Sequence, residues 1–254
     1  MAKGIVGVGC SYTWGEGLQF YADIPIPMRE SHTFFKDELR IPHILFKNKY
    51  RFTNLVGEYY NTWSHVVGNN GGSNMGFIHH DLPNLLDPVG EINFNDIGLL
   101  IFQFTKSDRN FKNNHFSNEF INTIEEQIIF TDKILCRFEE RGVSVVTISW
   151  DTDIPSHDLY KQLYKNRHVP IIDGELRKSA FDSLLWHKDY NYTVASDFHK
   201  YDLQKNDVHL NLKGHRVIAD SILEKLKKDN FTVDTTIDIN KNYVNRNADI
   251  KNII

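Results

Sequence analysis

The sequence has few cysteines, no long apolar run and no excess of positive charge, and each of these absences excludes a class of protein. Two cysteines in 254 residues, Cys10 and Cys136, do not make a disulfide framework. Both are predicted to be small buried residues in a reducing compartment. No apolar run is long enough to span a bilayer. A formal net charge of -4 argues against nucleic acid or an anionic membrane as the main partner.

The first residues also lack the features of an export signal. Met1 to Val6 run directly into a predicted strand, without the apolar region and small-residue cleavage site of a signal peptide. We therefore expect a cytoplasmic protein. Hydrophobic residues make up 41% of the chain, which is enough to bury a core and excludes an intrinsically disordered chain. A chain of 254 residues is expected to form one main domain.

Short apolar runs alternate with amphipathic segments along the chain. Buried parallel strands are predicted at 5–10, 63–67, 97–104 and 143–150, with a short last strand at 169–172. Helices are predicted at 52–60, 118–141, 176–185 and 212–228, with Gly142 as a C-cap. This alternation predicts a central parallel sheet between two helical layers, a three-layer α/β/α sandwich. We expect the domain to span 1–228, with an irregular insertion at about 18–50 and a polar tail at 229–254.

The turn after the first predicted strand is the first candidate site, because ligands bind where the strands of a parallel α/β sheet end. A serine at this turn, Ser11, is presented to the cleft, and its backbone N–H can join an oxyanion hole. The alternative is that Ser11 is only an N-cap. The glycines of the segment give a weak phosphate-loop signal, since neither a GKS/GKT ending nor G-x-G-x-x-G spacing is present.

A second polar turn opens the last predicted helix. Asp207 lies two residues before His209, and its carboxylate can accept the imidazole Nδ1–H and leave Nε2 free to take a proton from a serine. The alternative is that His209 and His215 are ordinary histidines at a helix start, in a chain with 12 histidines.

Together these segments resemble the first and last blocks of the SGNH (GDSL-like) hydrolase superfamily, in the type encoded by phages and bacteria. Gly9-Cys10-Ser11 looks like the family's Gly-Asp-Ser, with Cys10 replacing an Asp that is not the nucleophile. Asp207-Val208-His209, followed by Gly214-His215, looks like the last block. The usual spacing there is Asp-x-x-His, and the D-x-H spacing resembles acyltransferase-like branches. Asp202 and Asp197 are the alternative third members of the triad.

The middle blocks of the family are matched more loosely. The segment from Asn70 to Asn74 resembles the second block, whose glycine lends an N–H to the oxyanion hole, and this makes Gly72 the expected donor. The alternative for Gly72 is a glycine-rich turn without a ligand. The family's Gly-x-Asn-Asp block has no clean match after the third strand. Asn74 is a candidate for the missing amide donor, and Gln103, Thr105 and Arg109 are further candidates to point into the site.

The resemblance implies a flavodoxin-like fold and a serine-dependent esterase or acyl transferase without a cofactor or metal. Ser11 is then the nucleophile, His209 the base and Asp207 the group that orients it. Expected substrates are small acyl esters, O-acetylated carbohydrate among them. The alternatives are an inactive SGNH-like domain used for binding or structure, and a doubly wound protein that holds a phosphate or nucleotide at the loop from Ser11 to Gly17. The adjacent pair His79-His80 diverges and makes a poor metal chelate.

Overall fold

The computed structural model describes residues 3–10, 13, 15, 18, 45–67, 72–87, 92–105, 107, 123–149, 153–170 and 212–233. Four strands form one parallel sheet: β1 (Gly4–Val8), β2 (Ser64–Val67), β3 (Ile97–Phe104) and β4 (Ser144–Ser149). Their spatial order is β2-β1-β3-β4. All four long strands predicted from the apolar runs are confirmed. Every residue of β1 and β3 is buried, as expected for central strands covered on both faces.

Helices connect the strands and follow them. The longer ones are α1 (Phe52–Tyr59), α4 (Ile124–Glu139) and α7 (Leu212–Lys228). The short ones are α2 (Asn74–Gly76), α3 (Leu82–Leu86), α5 (Asp153–Ser156) and α6 (Asp158–Leu163). A π-helical turn, Phe77–Asp81, joins α2 to α3, and a 3-10 turn, Phe94–Asp96, precedes β3. No helix in the described part of the chain is both long and apolar enough to cross a membrane.

The order of the strands places the helices in two layers. The chain steps from β1 through α1 to β2 on one side, and from β3 through α4 to β4 on the other. Because such parallel crossovers are right-handed, steps in opposite directions leave α1 and α4 on opposite faces of the sheet. Helix α7 packs against α1, where the Phe52 ring stacks on His215. The predicted three-layer α/β/α sandwich with a flavodoxin-like strand order is confirmed.

Local capping signals set both ends of α4. Thr123 has an extended backbone and forms a capping box, in which its hydroxyl accepts from the Glu126 N–H and the Glu126 carboxylate accepts from the Thr123 N–H. The helix therefore begins at Ile124, and the predicted start at residue 118 was wrong. At the other end Gly142 has a φ of 79°, and the N–H of Val143 donates to the Phe138 carbonyl at 3.0 Å. This Schellman motif confirms Gly142 as the C-cap.

Several predicted features are only partly covered by the described residues. Beside β4, a single parallel bridge joins His168 to Thr147, where a last strand at 169–172 was predicted. Cys10 and Cys136 are both free thiols; Cys10 is buried as expected, whereas Cys136 is only partly buried. The predicted helix at 176–185 and nearly all of the insertion and of the tail lie outside the described residues.

Candidate active site

The strand order places the topological switch point between β1 and β3, the position where open α/β sheets bind ligands. Four of the predicted site residues, Ser11, Arg109, Asp207 and His209, lie outside the described residues, as do the alternatives Asp197 and Asp202. The geometry of the site is therefore given by its neighbours: the residues that flank Ser11, the segment at 72–74, and the end of β3.

The side chain of Gln103 joins β3 to the chain on both sides of Ser11, at Cys10 and at Thr13. Gln103 is 2% exposed, and its Nε2 donates to Cys10 Sγ at 3.3 Å. Its Oε1 accepts from the hydroxyl of Thr13, which is also fully buried. The two bonds use opposite ends of one amide, so the orientation of the amide is fixed. The chain before and after Ser11 is thus attached to the most buried strand of the sheet.

Gly9 allows this close attachment. A Cβ atom at Gly9 would lie 2.7 Å from Gln103 Oε1 and would also meet the Thr13 hydroxyl. Any larger residue would therefore separate the turn after β1 from the side chain of Gln103. The glycine in the Gly9-Cys10-Ser11 segment has a packing role that the sequence motif alone does not reveal.

Asn74 forms a second attachment between the segment after β2 and the end of β3. Its Oδ1 accepts from the Thr105 N–H at 2.8 Å, and its Nδ2 donates to the Thr105 carbonyl at 2.9 Å. The same Nδ2 donates to Gln127 Oε1 at 3.0 Å. Both amide hydrogens of Asn74 are therefore committed within the protein, and the side chain is fully buried. This geometry corrects the prediction of Asn74 as an oxyanion donor and assigns the side chain to holding two loops together.

The other predicted residues of this edge keep positions next to that attachment. Gly72 is partly buried and precedes Ser73, whose hydroxyl caps α2 by accepting from the Gly76 N–H at 3.3 Å. Thr105 is fully buried, and within the described part of the chain its hydroxyl oxygen has no hydrogen-bond partner. Thr105 is thus bonded to the Asn74 amide through its backbone, and Gly72 lies two residues before Asn74 in the chain.

The first turn of α1 lies close to Thr13 and contacts the first turn of α7. A Cβ atom at Gly7 would lie 2.5 Å from Thr53 Cγ2 and 3.2 Å from Thr13 Cγ2, so both side chains approach the same point on one face of β1. One residue earlier, the Phe52 N–H donates to His215 Nδ1 at 3.3 Å. Thr13 and the first turn of α7 therefore lie near the same end of α1.

His215 has a structural role at this junction. It is fully buried, its Nδ1 accepts a backbone hydrogen bond, and its ring stacks on Phe52 with centroids 5.8 Å apart. Accepting at Nδ1 requires the neutral tautomer that is protonated at Nε2. The interpretation of His215 as an ordinary histidine at a helix start is therefore correct, and the same interpretation for His209 is untested.

A buried arginine, Arg51, lies next to Gly15. Arg51 is 1% exposed, and its Cβ lies 3.1 Å from where a Cβ would sit at Gly15. Its Nε donates to Asn54 Oδ1 at 2.7 Å, and burial lowers the pKa of its guanidinium to about 10. Burial, together with the charge of Arg51, lowers the pKa of His65 to about 4. Both effects indicate a poorly solvated environment at this face of the sheet.

Sequence reasoning missed two residues that complete this edge. Asp153 follows β4; its Oδ2 accepts from the Ser107 N–H at 2.8 Å, and its Oδ1 accepts from the Ile154 N–H at 2.7 Å. Gln127 is fully buried in α4 and contacts both Asn74 and the Ser107 carbonyl. A glutamine on the inner face of an amphipathic helix is a signal that could have identified Gln127.

The described residues contain no group of three His, Cys, Asp or Glu side chains placed to hold a metal ion. His79 and His80 are both exposed, and His80 Nδ1 lies 3.2 Å from Asn84 Nδ2.

No family model matches the sequence, and no curated protein is significantly similar to it. Solved structures overlap it loosely. A lipolytic protein of the G-D-S-L family from Desulfitobacterium hafniense is 9% identical over 88% of this chain and 99% of that one, with a TM-score of 0.45. A family two carbohydrate esterase from Clostridium thermocellum, solved with cellohexaose, is 11% identical over 89% of this chain and 64% of that one, with a TM-score of 0.43. The acetylxylan esterase Axe2 from Geobacillus stearothermophilus is 12% identical over 88% and 94%, with a TM-score of 0.43.

Proposed function

We propose that this chain is a serine-dependent ester hydrolase or acyl transferase that acts on small acyl esters. Ser11 is the nucleophile, His209 is the general base, and Asp207 accepts the Nδ1–H of His209 and stabilises its cationic form. The backbone N–H groups of Ser11 and Gly72 are the oxyanion donors. Neither a metal nor a cofactor takes part in this proposal.

One observation carries the proposal. Thr53 at the start of α1 approaches the same point of β1 as Thr13, two residues after Ser11. Phe52, one residue earlier, bonds His215 of α7, the helix that follows His209 in the sequence, so both segments lie near the same end of α1. The sequence separates Ser11 from His209 by nearly two hundred residues, so a shared anchor is not expected by chance. It supports a geometry in which a hydroxyl and an imidazole share a proton.

The reaction proceeds in two steps. His209 removes the proton of Ser11 as its Oγ attacks the acyl carbon, and the alcohol leaves with that proton once the C–O bond breaks. Water or a sugar hydroxyl then attacks the acyl-enzyme as His209 takes its proton; His209 returns that proton to Ser11 Oγ as the bond from Oγ to the acyl carbon breaks, which releases the acid or the new ester. Each oxyanion donor is expected to lower the barrier by about 3–4 kcal/mol.

Covalent labelling by a fluorophosphonate probe tests the proposal without knowledge of the substrate. We expect labelling of the wild-type protein on Ser11 and its complete loss in Ser11→Ala. Ser221→Ala is the matched control, because Ser221 lies in α7 with its hydroxyl bonded to the Val217 carbonyl. Hydrolysis of p-nitrophenyl acetate and release of acetate from O-acetylated carbohydrate should follow the labelling. Equal hydrolysis by Ser11→Ala and wild type would refute the assignment.

A second function is favoured by the position of Arg51. A loop that holds a phosphate or nucleotide needs a nearby cation, and the buried guanidinium of Arg51 belongs to a side chain that packs against Gly15. Thermal-shift measurements with nucleotides separate the two functions, since stabilisation by nucleotide without fluorophosphonate labelling would support a nucleotide-binding protein. Neither labelling nor stabilisation would leave an inactive SGNH-like binding domain.

A further inference from the structure

We infer that Gln103 is a positioning residue for the nucleophile: it sets the place of Ser11 by holding Cys10, one residue before it, and Thr13, two residues after it. The inference rests on the proposed function, because it concerns the same serine. It adds a residue on β3 that does not touch the substrate and acts only through Cys10 and Thr13.

Gln103 forms two hydrogen bonds of opposite direction, one as donor and one as acceptor. Gln103 Nε2 donates to Cys10 Sγ at 3.3 Å, one residue before Ser11, and Gln103 Oε1 accepts from Thr13 Oγ1, two residues after it. One rigid amide thus fixes the distance between the Cys10 sulfur and the Thr13 hydroxyl, which two separate side chains would leave free to vary.

The strand that carries Gln103, β3, is a rigid support for its side chain. Gln103 pairs with Ile148 of β4 in the register of the sheet, and its neighbours Phe102 and Phe104 are fully buried. Side chains on such a strand cannot shift without disturbing the core. Misplacement of a reacting group by about 1 Å can lower a rate by about 100-fold, so an anchor of this kind affects catalysis through geometry alone.

The bond to Cys10 differs in kind from the bond to Thr13. Thr13 is a hydroxyl donor to Gln103, but the contact with Cys10 uses a sulfur atom as a weak acceptor. An ionised carboxylate at the same position has no N–H to donate, so it could hold Cys10 only by accepting from the weak S–H donor. This difference makes Gln103→Glu an informative variant, because its side chain regains a donor only when protonated.

The experiment compares fluorophosphonate labelling rates of Ser11 in folded protein. We expect Gln103→Leu, which keeps the bulk of the side chain but removes both bonds, to be labelled at least about tenfold more slowly than wild type. With an ester substrate, kcat should fall and KM should change little, because the substrate does not touch Gln103. Tyr160→Phe is the matched control. It removes a buried hydroxyl of α6 that lies 3.1 Å from the Thr147 hydroxyl of β4 and 2.9 Å from His168 Nδ1. It should lower the thermal midpoint without slowing labelling.

A pH series on Gln103→Glu adds a readout that a purely structural role would not move. Burial raises the pKa of a carboxyl group, so the introduced group gains its proton as pH falls and can then donate to Cys10. The labelling rate of this variant, divided by that of wild type at the same pH, should rise as pH falls.

The outcomes are distinguishable from failure of the proposed function. If wild-type Ser11 is not labelled, the function itself is refuted. If wild type is labelled and folded Gln103→Leu is labelled within twofold of it, or if Tyr160→Phe slows labelling equally, the positioning role is overturned.

Discussion

Replacing Asn74 by alanine should destabilise the protein by an amount that its hydrogen bonds predict. The change removes three bonds, of 2.8, 2.9 and 3.0 Å, and leaves the N–H and carbonyl of Thr105 and the Gln127 amide without this partner. Each bond contributes about 0.5–1.5 kcal/mol, and buried groups left unsatisfied raise the loss. We expect Asn74→Ala to lower the free energy of unfolding by about 3 kcal/mol, which for a chain of this size shifts the thermal midpoint by about 6–12 °C.

The aspartate variant separates a holding role from a donor role at the same position. In Asn74→Asp, the introduced carboxylate can still accept from the Thr105 N–H but faces two acceptors, the Thr105 carbonyl and Gln127 Oε1. Burial raises the folded-state pKa of that group above its unfolded value. Its folded form therefore binds the proton more tightly, so the variant should regain part of its stability as pH falls toward the unfolded pKa and lose it as pH rises.

Urea and thermal unfolding, followed by circular dichroism, provide the assay. Asn84→Ala is the control, because Asn84 is exposed in the same helical segment and its loss should change stability by no more than about 0.5 kcal/mol. A holding role for Asn74 would be refuted if Asn74→Ala unfolded with the wild-type midpoint yet was no longer labelled at Ser11. That result would mean that the amide acts on the substrate, as the sequence first predicted.

Two further predictions concern the rest of the fold. Burial is the main reason that the pKa values of His65 and His168 are lowered from 6.5 to about 4. Between these two pH values the unfolded state binds more protons than the folded state. The free energy of unfolding should therefore fall by on the order of 1–3 kcal/mol as pH falls through this window. In His168→Gln, urea midpoints should depend less on pH over that range, and an unchanged dependence would contradict the assignment. Gly142→Ala should lower the free energy of unfolding by about 1–2 kcal/mol by backbone strain alone, because φ is 79° and no atom lies within 4 Å of the new Cβ; a neutral change in chemical denaturation would refute this.

The strands and long helices were predictable because their signals are local. The eight residues from Ile97 to Phe104 form an apolar run that only a strand covered on both faces can bury, and α4 and α7 show clear amphipathic periods. The error at the start of α4 arose because the apolar period continues before Thr123. The capping box makes the helix begin after Thr123, because a hydrogen bond between a side chain and the backbone outweighs periodicity at a helix terminus.

The sequence predicts a location for the candidate site, and it does not predict the bonds that the structure shows around that location. The rule that ligands bind at strand ends identified the segments at Ser11, Gly72 and Thr105. It gave no information on where the Asn74 amide would point, since an amide is equally suited to bind an oxyanion or a backbone. That choice depends on Gln127, 53 residues away, whose carbonyl takes the second amide hydrogen. Such a pairing across two helices has no signature in the sequence around either residue.

Both attachments around the proposed site lie at the end of one strand, at Gln103 within β3 and at Thr105 directly after it. Gln103 holds the turn after β1 through its side chain, while Thr105 holds the segment after β2 through its backbone. The two attachments are two residues apart in extended chain, so the distance between the attached segments is set by the rise of that chain rather than by the loops themselves. If the proposed function holds, the proposed donor at Gly72 and nucleophile at Ser11 are expected to keep their spacing for the same reason.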